Sequence, residues 1–447
     1  MSRFKLSFFK SGIVLIFILL QGSVYSQDDT FNIHTNYPAV IDSIEIEGNS
    51  VTEPYIILRE VTFSINDTIT RKVADYNRER IYSLGIFTHV DLFLKEAGDI
   101  TILLIKVEES WYIWPIPFAD LKEGDWNKLS YGFDVLIKNF RGRNENLGFR
   151  FALGYDPEFL VYYQVPYVWE EGKISIEFSS YYGTIMNKSR IAKSIYGKDF
   201  EQTHINNYVG FGRRFDLYNR LLLYFGFLYV ETPEYFPGIS ASGQRIDKSG
   251  FIGLKYTFDS RDLAQFPLNG RFFSVDYQLK GVAKEDISYN VISADYKEYR
   301  EIYSDFSAKW RLATRHTFGV AIPYYEHSFI GYGEKVRGHH NDRREGNSTI
   351  MTSLELRYPV IKEWNLSFDL PIIPKELLTY RIGFYPHIFI DAGATHFRNQ
   401  TLGIDDFKFG FGVGFTVLVL PYNIGRMEVA FNEKFNSEII FALGISF

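Results

Sequence analysis

From residue 111 to residue 447, apolar and polar residues alternate with a period of two, in run after run. LSYGFDVLIKNF (129–140), NLGFRFALGY (146–155), GKISIEFSSYYG (172–183), NRLLLYFGFLYV (219–230) and KFGFGVGFTVLVL (408–420) show it plainly. Successive side chains of a strand point to opposite faces, so each run carries one apolar and one polar face. No apolar stretch after residue 26 is long enough to cross a bilayer as a helix. The aromatic content of 18%, from 41 Phe, 32 Tyr and 6 Trp, is high for a soluble protein and suits the aromatic girdles of a membrane barrel.

The spacing predicts about sixteen such strands. That leaves each strand and its connection roughly twice the 9–11 residues a tilted membrane strand needs. With the first strand at 111–121, the long polar connections 185–201, 232–247 and 320–349 all fall on one side. The turns RGRN (141–144), WEEG (169–172) and FDLYN (215–219) fall on the other and are short. This asymmetry is that of an outer-membrane barrel. The stretch 362–379 is an exception: a long inner turn, with a short helix expected at 374–378. A pair of secreted β-sandwiches is the competing architecture. It fits the strand count poorly, and it leaves nothing to cover the apolar file Phe441, Leu443, Ile445 and Phe447 of the final run.

Residues 41–109 read differently, as a small α+β unit in the order β-α-α-β-β. Strands are expected at 41–48, 87–97 and 100–109. One helix is capped by Thr52 and runs to Arg59; a second covers 71–84. Ahead of it, Arg3, Lys5 and Lys10 precede the apolar core GIVLIFILL (12–20), and VYS (24–26) offers a cleavage site before Gln27. Residues 1–26 therefore read as a signal peptide and 27–40 as a linker. The chain has no cysteine, which excludes a lipid-anchored leader and any disulfide. The net charge of −6 gives no support to nucleic-acid binding.

Three local features need an explanation. VRGHHNDRREG (336–346) is a cationic loop between strand-like runs. Gly410, Gly412 and Gly414 share one face of a strand, where glycine weakens the strand unless something approaches closely, and a lid loop is a candidate. Pro115 and Pro117 lie two apart in the first strand, so two missing N–H donors face the same neighbour. If that neighbour is the last strand, ending at Phe447, the closing seam is weak. The alternative is that 114–117 is only the linker entering the barrel.

These segments resemble a known family. IEIEGNSVTEPYIILREV and RERIYSLGIFTHVDL are similar to a POTRA domain. The barrel resembles the BamA/TamA-type outer-membrane assembly factors, the bacterial surface-antigen superfamily. NFRGRNENLGFRFALGYDPEFLVYYQVPYV (139–168), DSRDLAQFPLNGRFF (259–273), PYYEHSFIGYGEKVRGH (323–339) and FIDAG (389–393) carry the likeness, in the family's order. The resemblance implies that Arg337 folds back into the lumen and pairs with Asp391 as a latch, with Gly338 letting the loop tip turn. It also implies a seam between first and last strands that admits client strands. His339 stands where the family often has an aromatic residue, and one POTRA-like module stands where the family's general assembly factors carry several.

The resulting expectation is an all-β transmembrane barrel of about sixteen antiparallel strands (111–447) with an N-terminal POTRA-like domain (41–109), in the bacterial outer membrane with that domain in the periplasm. Its role would be to receive unfolded polypeptide through a sheet edge and insert or export it. Partners would be outer-membrane lipid, unfolded outer-membrane or secreted clients, and periplasmic chaperones or accessory lipoproteins. A passive pore or a scaffold subunit of a larger surface complex is the alternative. No nucleophile elbow, phosphate loop or dinucleotide fingerprint is present, so neither an enzyme nor a cofactor is expected. His339 and His340 are adjacent with no third ligand evident, so no metal is expected.

Overall fold

The computed structural model describes residues 37–121, 126–284, 286–303 and 305–444. The expected leader (1–26), residues 27–36 of the linker and Phe447 lie outside them. No described helix is long and apolar enough to cross a membrane.

The N-terminal module has the expected element order. Strand β1 (Ser43–Glu47) is followed by helices α1 (Pro54–Leu58) and α2 (Arg71–Tyr82), then β2 (Phe87–Ala97) and β3 (Ile100–Glu109). The sheet order is β1-β3-β2, with β1 parallel to β3 and β2 antiparallel to it. Thr70 caps α2 with its side chain. Thr52 does not cap α1: Glu53 occupies that position with no side-chain cap bond. Thr52 is instead buried, and its hydroxyl donates to Glu109 at 2.6 Å. A hydrogen bond to an ionised carboxylate is stronger than a cap bond to a peptide N–H, so the neighbouring sheet captures the residue.

Seventeen strand segments then close into a barrel. In chain order they are β4 (Ile113–Leu121), β5 (Leu129–Phe140), β6 (Glu145–Gly154), β7 (Glu158–Trp169), β8 (Ile174–Met186), β9 (Glu201–Arg214), β10 (Asn219–Glu231), β11 (Ile246–Asp259) and β12 (Gly270–Val282). The wall continues with β13 (Tyr289–Tyr303), β14 (Phe306–Gly319), β15 (Ser348–Arg357), β16 (Ile361–Ser367), β17 (Thr379–His396), β18 (Lys408–Leu420), β19 (Asn423–Asn432) and β20 (Ser437–Leu443). Both β15 and β16 pair with β17, on successive parts of its length, so seventeen segments fill sixteen positions around the wall. Closure leaves no open strand edge with its N–H and C=O groups turned to hydrocarbon, the condition for any sheet that crosses a bilayer. On β10, Leu223, Phe225 and Phe227 face outward and exposed, while Leu222, Tyr224 and Leu228 are buried.

One expectation about the connections changes. The long inner turn at 362–379 begins as a strand: β16 runs to Ser367, which pairs with Thr379. The short helix expected at 374–378 is present as a 3₁₀ helix at Lys375–Leu378, with Pro374 at its N-cap. Of the outer connections, 185–201 holds a helix, α3 (Arg190–Tyr196). The connection at 320–347 holds a small hairpin pairing Ser328–Ile330 with Arg344–Gly346.

The module's core does not end at the module. Ile56, Ile81, Ile86, Leu103 and Ile105 form one buried cluster with Leu263 and Phe266 of the β11–β12 turn, and with Tyr385, Leu418, Leu420 and Ile424 of the wall. The α+β unit is thus packed against the inner mouth of the barrel.

Candidate functional site

The connection after β14 turns back into the lumen. Val336 is fully buried with Ile330 and Met351. Next to it, the Arg337 side chain reaches the wall. Its Nε and Nη2 each donate to one oxygen of Asp391 at 2.7 Å, a two-pronged pair. Its backbone N–H also points to Asp391, at 3.3 Å. Nη1 donates to Glu428 at 2.7 Å and to Glu355 at 3.2 Å, and Nη2 to Ser353 at 3.2 Å. The guanidinium lies 3.6 Å over the Phe389 ring. A planar fork that meets several carboxylates and stacks on a ring is chemistry that arginine supplies and lysine does not.

Sequence reasoning named Asp391 but missed Ser353, Glu355, Phe389 and Glu428. The signal was present in the alternation. Ser353 and Glu355 share the inward face of β15, Phe389 and Asp391 that of β17, and Glu428 lies on the inward face of β19. The charges around them are interlocked. Glu355 also accepts from Arg357 at 2.6 Å; Glu428 contacts His387 at 3.0 Å and Arg426 at 3.3 Å. Glu355, His387 and Glu428 place ligand atoms within 4.8 Å of one another. Arg337 already bonds both carboxylates, so the position a metal ion would need carries a guanidinium charge.

Two glycines fit the loop to the wall. Gly338 has φ +93°, and a Cβ there would lie 2.5 Å from the Phe431 carbonyl oxygen. A Cβ on Gly410 would lie 1.6 Å from the Arg337 carbonyl oxygen, so that residue does face the loop. Gly412 and Gly414 do not. Their nearest neighbours are wall atoms: Val429 and Phe389 for Gly412, Met427, Glu428 and His387 for Gly414. Adjacent strands, and not the lid, take up the room. Beyond Arg337, the Gly338 N–H donates to Glu438 at 2.7 Å, and His339 lies 2.6 Å from Glu433.

Other outer connections meet this loop. Tyr324 N–H donates to Gly238, Arg190 to the Arg343 carbonyl at 3.1 Å, and Tyr332 to the Lys188 carbonyl at 3.0 Å.

Pro115 and Pro117 lie within β4, opposite Val135 and Phe133 of β5, and not in a linker. Lys138 N–H donates to the Tyr112 carbonyl at 2.8 Å, which fixes the alternation of the β4–β5 ladder. Even-numbered residues of β4 turn their N–H groups to β5, and positions 113, 115 and 117 turn theirs away. The neighbour on that side is β20. Both missing donors therefore face the closing seam. Phe447, the third seam residue, is among those not described.

On the inner side, charged pairs tie the module to the wall. Arg214 donates to both oxygens of Glu60, at 2.7 and 3.0 Å, and Arg80 adds a bond of 2.9 Å. Arg381 donates to both oxygens of Glu79, at 2.8 and 3.1 Å, and Arg78 reaches Glu363 at 2.8 Å. Burial pushes the Glu60 carboxyl up, but Arg214, Arg80 and Arg59 outweigh it and hold it below the ordinary carboxylate range. In the β11–β12 turn, Asp259 pairs with Arg261 at 2.7 Å. Asp262 accepts the N–H groups of Leu263, Leu268 and Asn269. Burial dominates at Asp262 and raises its carboxyl to about 6.

A closed antiparallel barrel, holding an arginine loop in its lumen and an α+β module under one mouth, defines a class of plugged outer-membrane-type barrels. Within that class, residues 139–444 match the Omp85 superfamily domain, and residues 39–110 match the surface antigen variable number repeat of POTRA type. The chain belongs to the Omp85 superfamily. Its fold is similar to that of BamA from Haemophilus ducreyi lacking POTRA domains 1–3, at 16% identity and a TM-score of 0.53, over 91% of this chain and 84% of that one. It is also similar to CdiB from Escherichia coli, at 11% identity and a TM-score of 0.54, over 91% and 76%.

Proposed function

We propose that this protein is an outer-membrane assembly or translocation factor. It takes unfolded polypeptide at the periplasmic module and passes it to the barrel, which inserts it into the membrane or exports it. Membership of the Omp85 superfamily supports the coarse reading. The observation that carries the finer one is the lumen itself: Arg337 bridges Asp391, Glu355 and Glu428 across three wall strands. A loop pinned inside the lumen by a multiply bonded cation obstructs a passive pore.

The module supplies the receiving surface. Strand β1 is an edge of the three-stranded sheet, and an extended chain adds to such an edge through main-chain hydrogen bonds. The seam supplies the second docking edge. A β4 strand without two of its outward donors holds β20 less firmly than a complete ladder would. A client strand then competes for β20 against a partner of reduced strength. No nucleotide is needed; the driving force is the stability of a closed, backbone-satisfied client in lipid. Bacterial outer-membrane lipid, unfolded outer-membrane or secreted polypeptides, and periplasmic chaperones or accessory lipoproteins are the partners this role implies.

The test is depletion in the native host, followed by comparison of the outer-membrane and secreted proteomes. Loss of a defined set of barrels or exported proteins is the expected result. An unchanged proteome, together with a large conductance in planar bilayers that Arg337→Ala leaves unaltered, sinks the proposal in favour of a pore.

A further inference from the structure

The β16–β17 hairpin has two faces of different chemistry. Its inward residues hold the module: Glu363 meets Arg78, and Arg381 meets Glu79 and lies over the Tyr82 ring. Its outward cross-strand pairs are apolar, Trp364 opposite Ile382 and Leu366 opposite Tyr380. The Phe368 N–H donates to the Leu378 carbonyl at 3.1 Å, so the hairpin continues past its last paired residues. The tip that follows reads Leu370-Pro371-Ile372-Ile373-Pro374.

That tip is unusual on three counts. Ile372 is 101% exposed, and Ile373 beside it is 44% exposed. Ile372 also has φ +86°, where a β-branched side chain is strained. Pro371 and Pro374 have no N–H group, so the tip carries fewer donors that would need water. The charged residues Asp369, Lys375 and Glu376 stand at its base and not at its end.

The surroundings say what covers it. Tyr380 lies 5.9 Å from Tyr422, and Tyr422 lies 4.8 Å from Trp114. The Tyr422 hydroxyl donates to the Glu376 carbonyl, which ties the loop to this file of rings. Rings with polar edges, set at the rim of an apolar wall, mark the level of lipid headgroups. The apolar tip is therefore continuous with the lipid-facing belt through Trp364, Leu366 and Tyr380.

We propose that the 371–374 tip is a membrane-anchoring loop that inserts Ile372 and Ile373 into the periplasmic leaflet of the bilayer. It fastens the hairpin that carries Glu363 and Arg381, and so fixes the height at which the module is held. The proposal rests on the barrel lying in a bilayer.

The chain has no cysteine, so a single introduced one labels cleanly. Ile372→Cys, Ile373→Cys, Ile390→Cys and Asp99→Cys are each labelled with an environment-sensitive fluorophore in proteoliposomes of the full chain. Folding of each variant is checked by heat-modifiable gel mobility. Ile390 is half exposed on the outward face of β17, and Asp99 is exposed in the β2–β3 turn of the module. Spin-labelled lipid should quench positions 372 and 373 to an extent approaching that at 390, and aqueous iodide should quench only position 99. Iodide access at 372 and 373 without lipid quenching overturns the proposal. Protection from both quenchers also overturns it, since protein then covers the tip. Lack of lipid quenching at 390 as well sinks the membrane reading of the whole barrel, a result distinct from failure of the tip alone.

Discussion

Arg337→Ala isolates the lumenal contact. The variant leaves three inward carboxylates, but they are not equally abandoned. Glu355 keeps Arg357, and Glu428 keeps His387 and Arg426. Asp391, with a side chain 1% exposed, receives its hydrogen bonds among the described residues from Arg337. Removing one member of a buried ion pair costs about 3–5 kcal/mol, mostly because the other charge is left unpaired. At about 1.4 kcal/mol per tenfold, the docked loop loses roughly 10²- to 4 × 10³-fold in population relative to the released one. The readout is native-state hydrogen exchange at the Gly338 and His339 amides, which donate to Glu438 and to the Val336 carbonyl. Their exchange should accelerate by that factor. Adding Asp391→Asn to Arg337→Ala removes the stranded charge and should recover at least about 1 kcal/mol of it. Exchange within threefold of wild type in Arg337→Ala, or no recovery in the double variant, refutes the argument.

Gly410→Ala should release the same loop with every charge intact, since its Cβ would meet the Arg337 carbonyl; Gly425→Ala, which has nothing within 4 Å, should not, and the same exchange measurement compares them. Pro115→Val with Pro117→Val restores two donors toward β20, each worth about 1 kcal/mol; disulfide trapping between cysteines placed across the seam should show less opening, and unchanged opening counts against the weak-seam argument. Asp262 binds its proton more tightly in the folded chain, with its carboxyl raised from 3.8 to about 6. Between those values the folded state holds more protons than the unfolded one, so this group's contribution to stability falls as pH rises through the window. Protease resistance of the β11–β12 turn should therefore drop from pH 4 to pH 7, and the drop should shrink in Asp262→Asn.

The strands were legible because closure imposes a strict period of two on every one of them. A lipid-facing side must be apolar, and an inward side must be polar or filled. The module's order was legible for a similar reason, since helical and strand periodicities alternate cleanly between residues 41 and 109. Contacts set by shape were harder to read. Nothing local to Gly412 or Gly414 separates a glycine that admits a loop from one that admits a neighbouring strand. The three carboxylates that meet Arg337 come from β15, β17 and β19, and their convergence depends on curvature that alternation does not encode. Thr52 looked like a cap because its partner, Glu109, lies at the far end of the module. The paired Arg214–Glu60 and Arg381–Glu79 contacts join residues more than 150 positions apart and left no trace in the sequence pattern.

Leu263 and Phe266 belong to the barrel by sequence and to the module by packing. Anyone exchanging modules between relatives should therefore move two pieces of chain, not one. A graft ending at residue 110 would keep a host turn cut for a different socket, and its misfit would be mistaken for incompatibility of the module itself. Carrying the 259–270 turn along with the donor is the design rule this arrangement dictates.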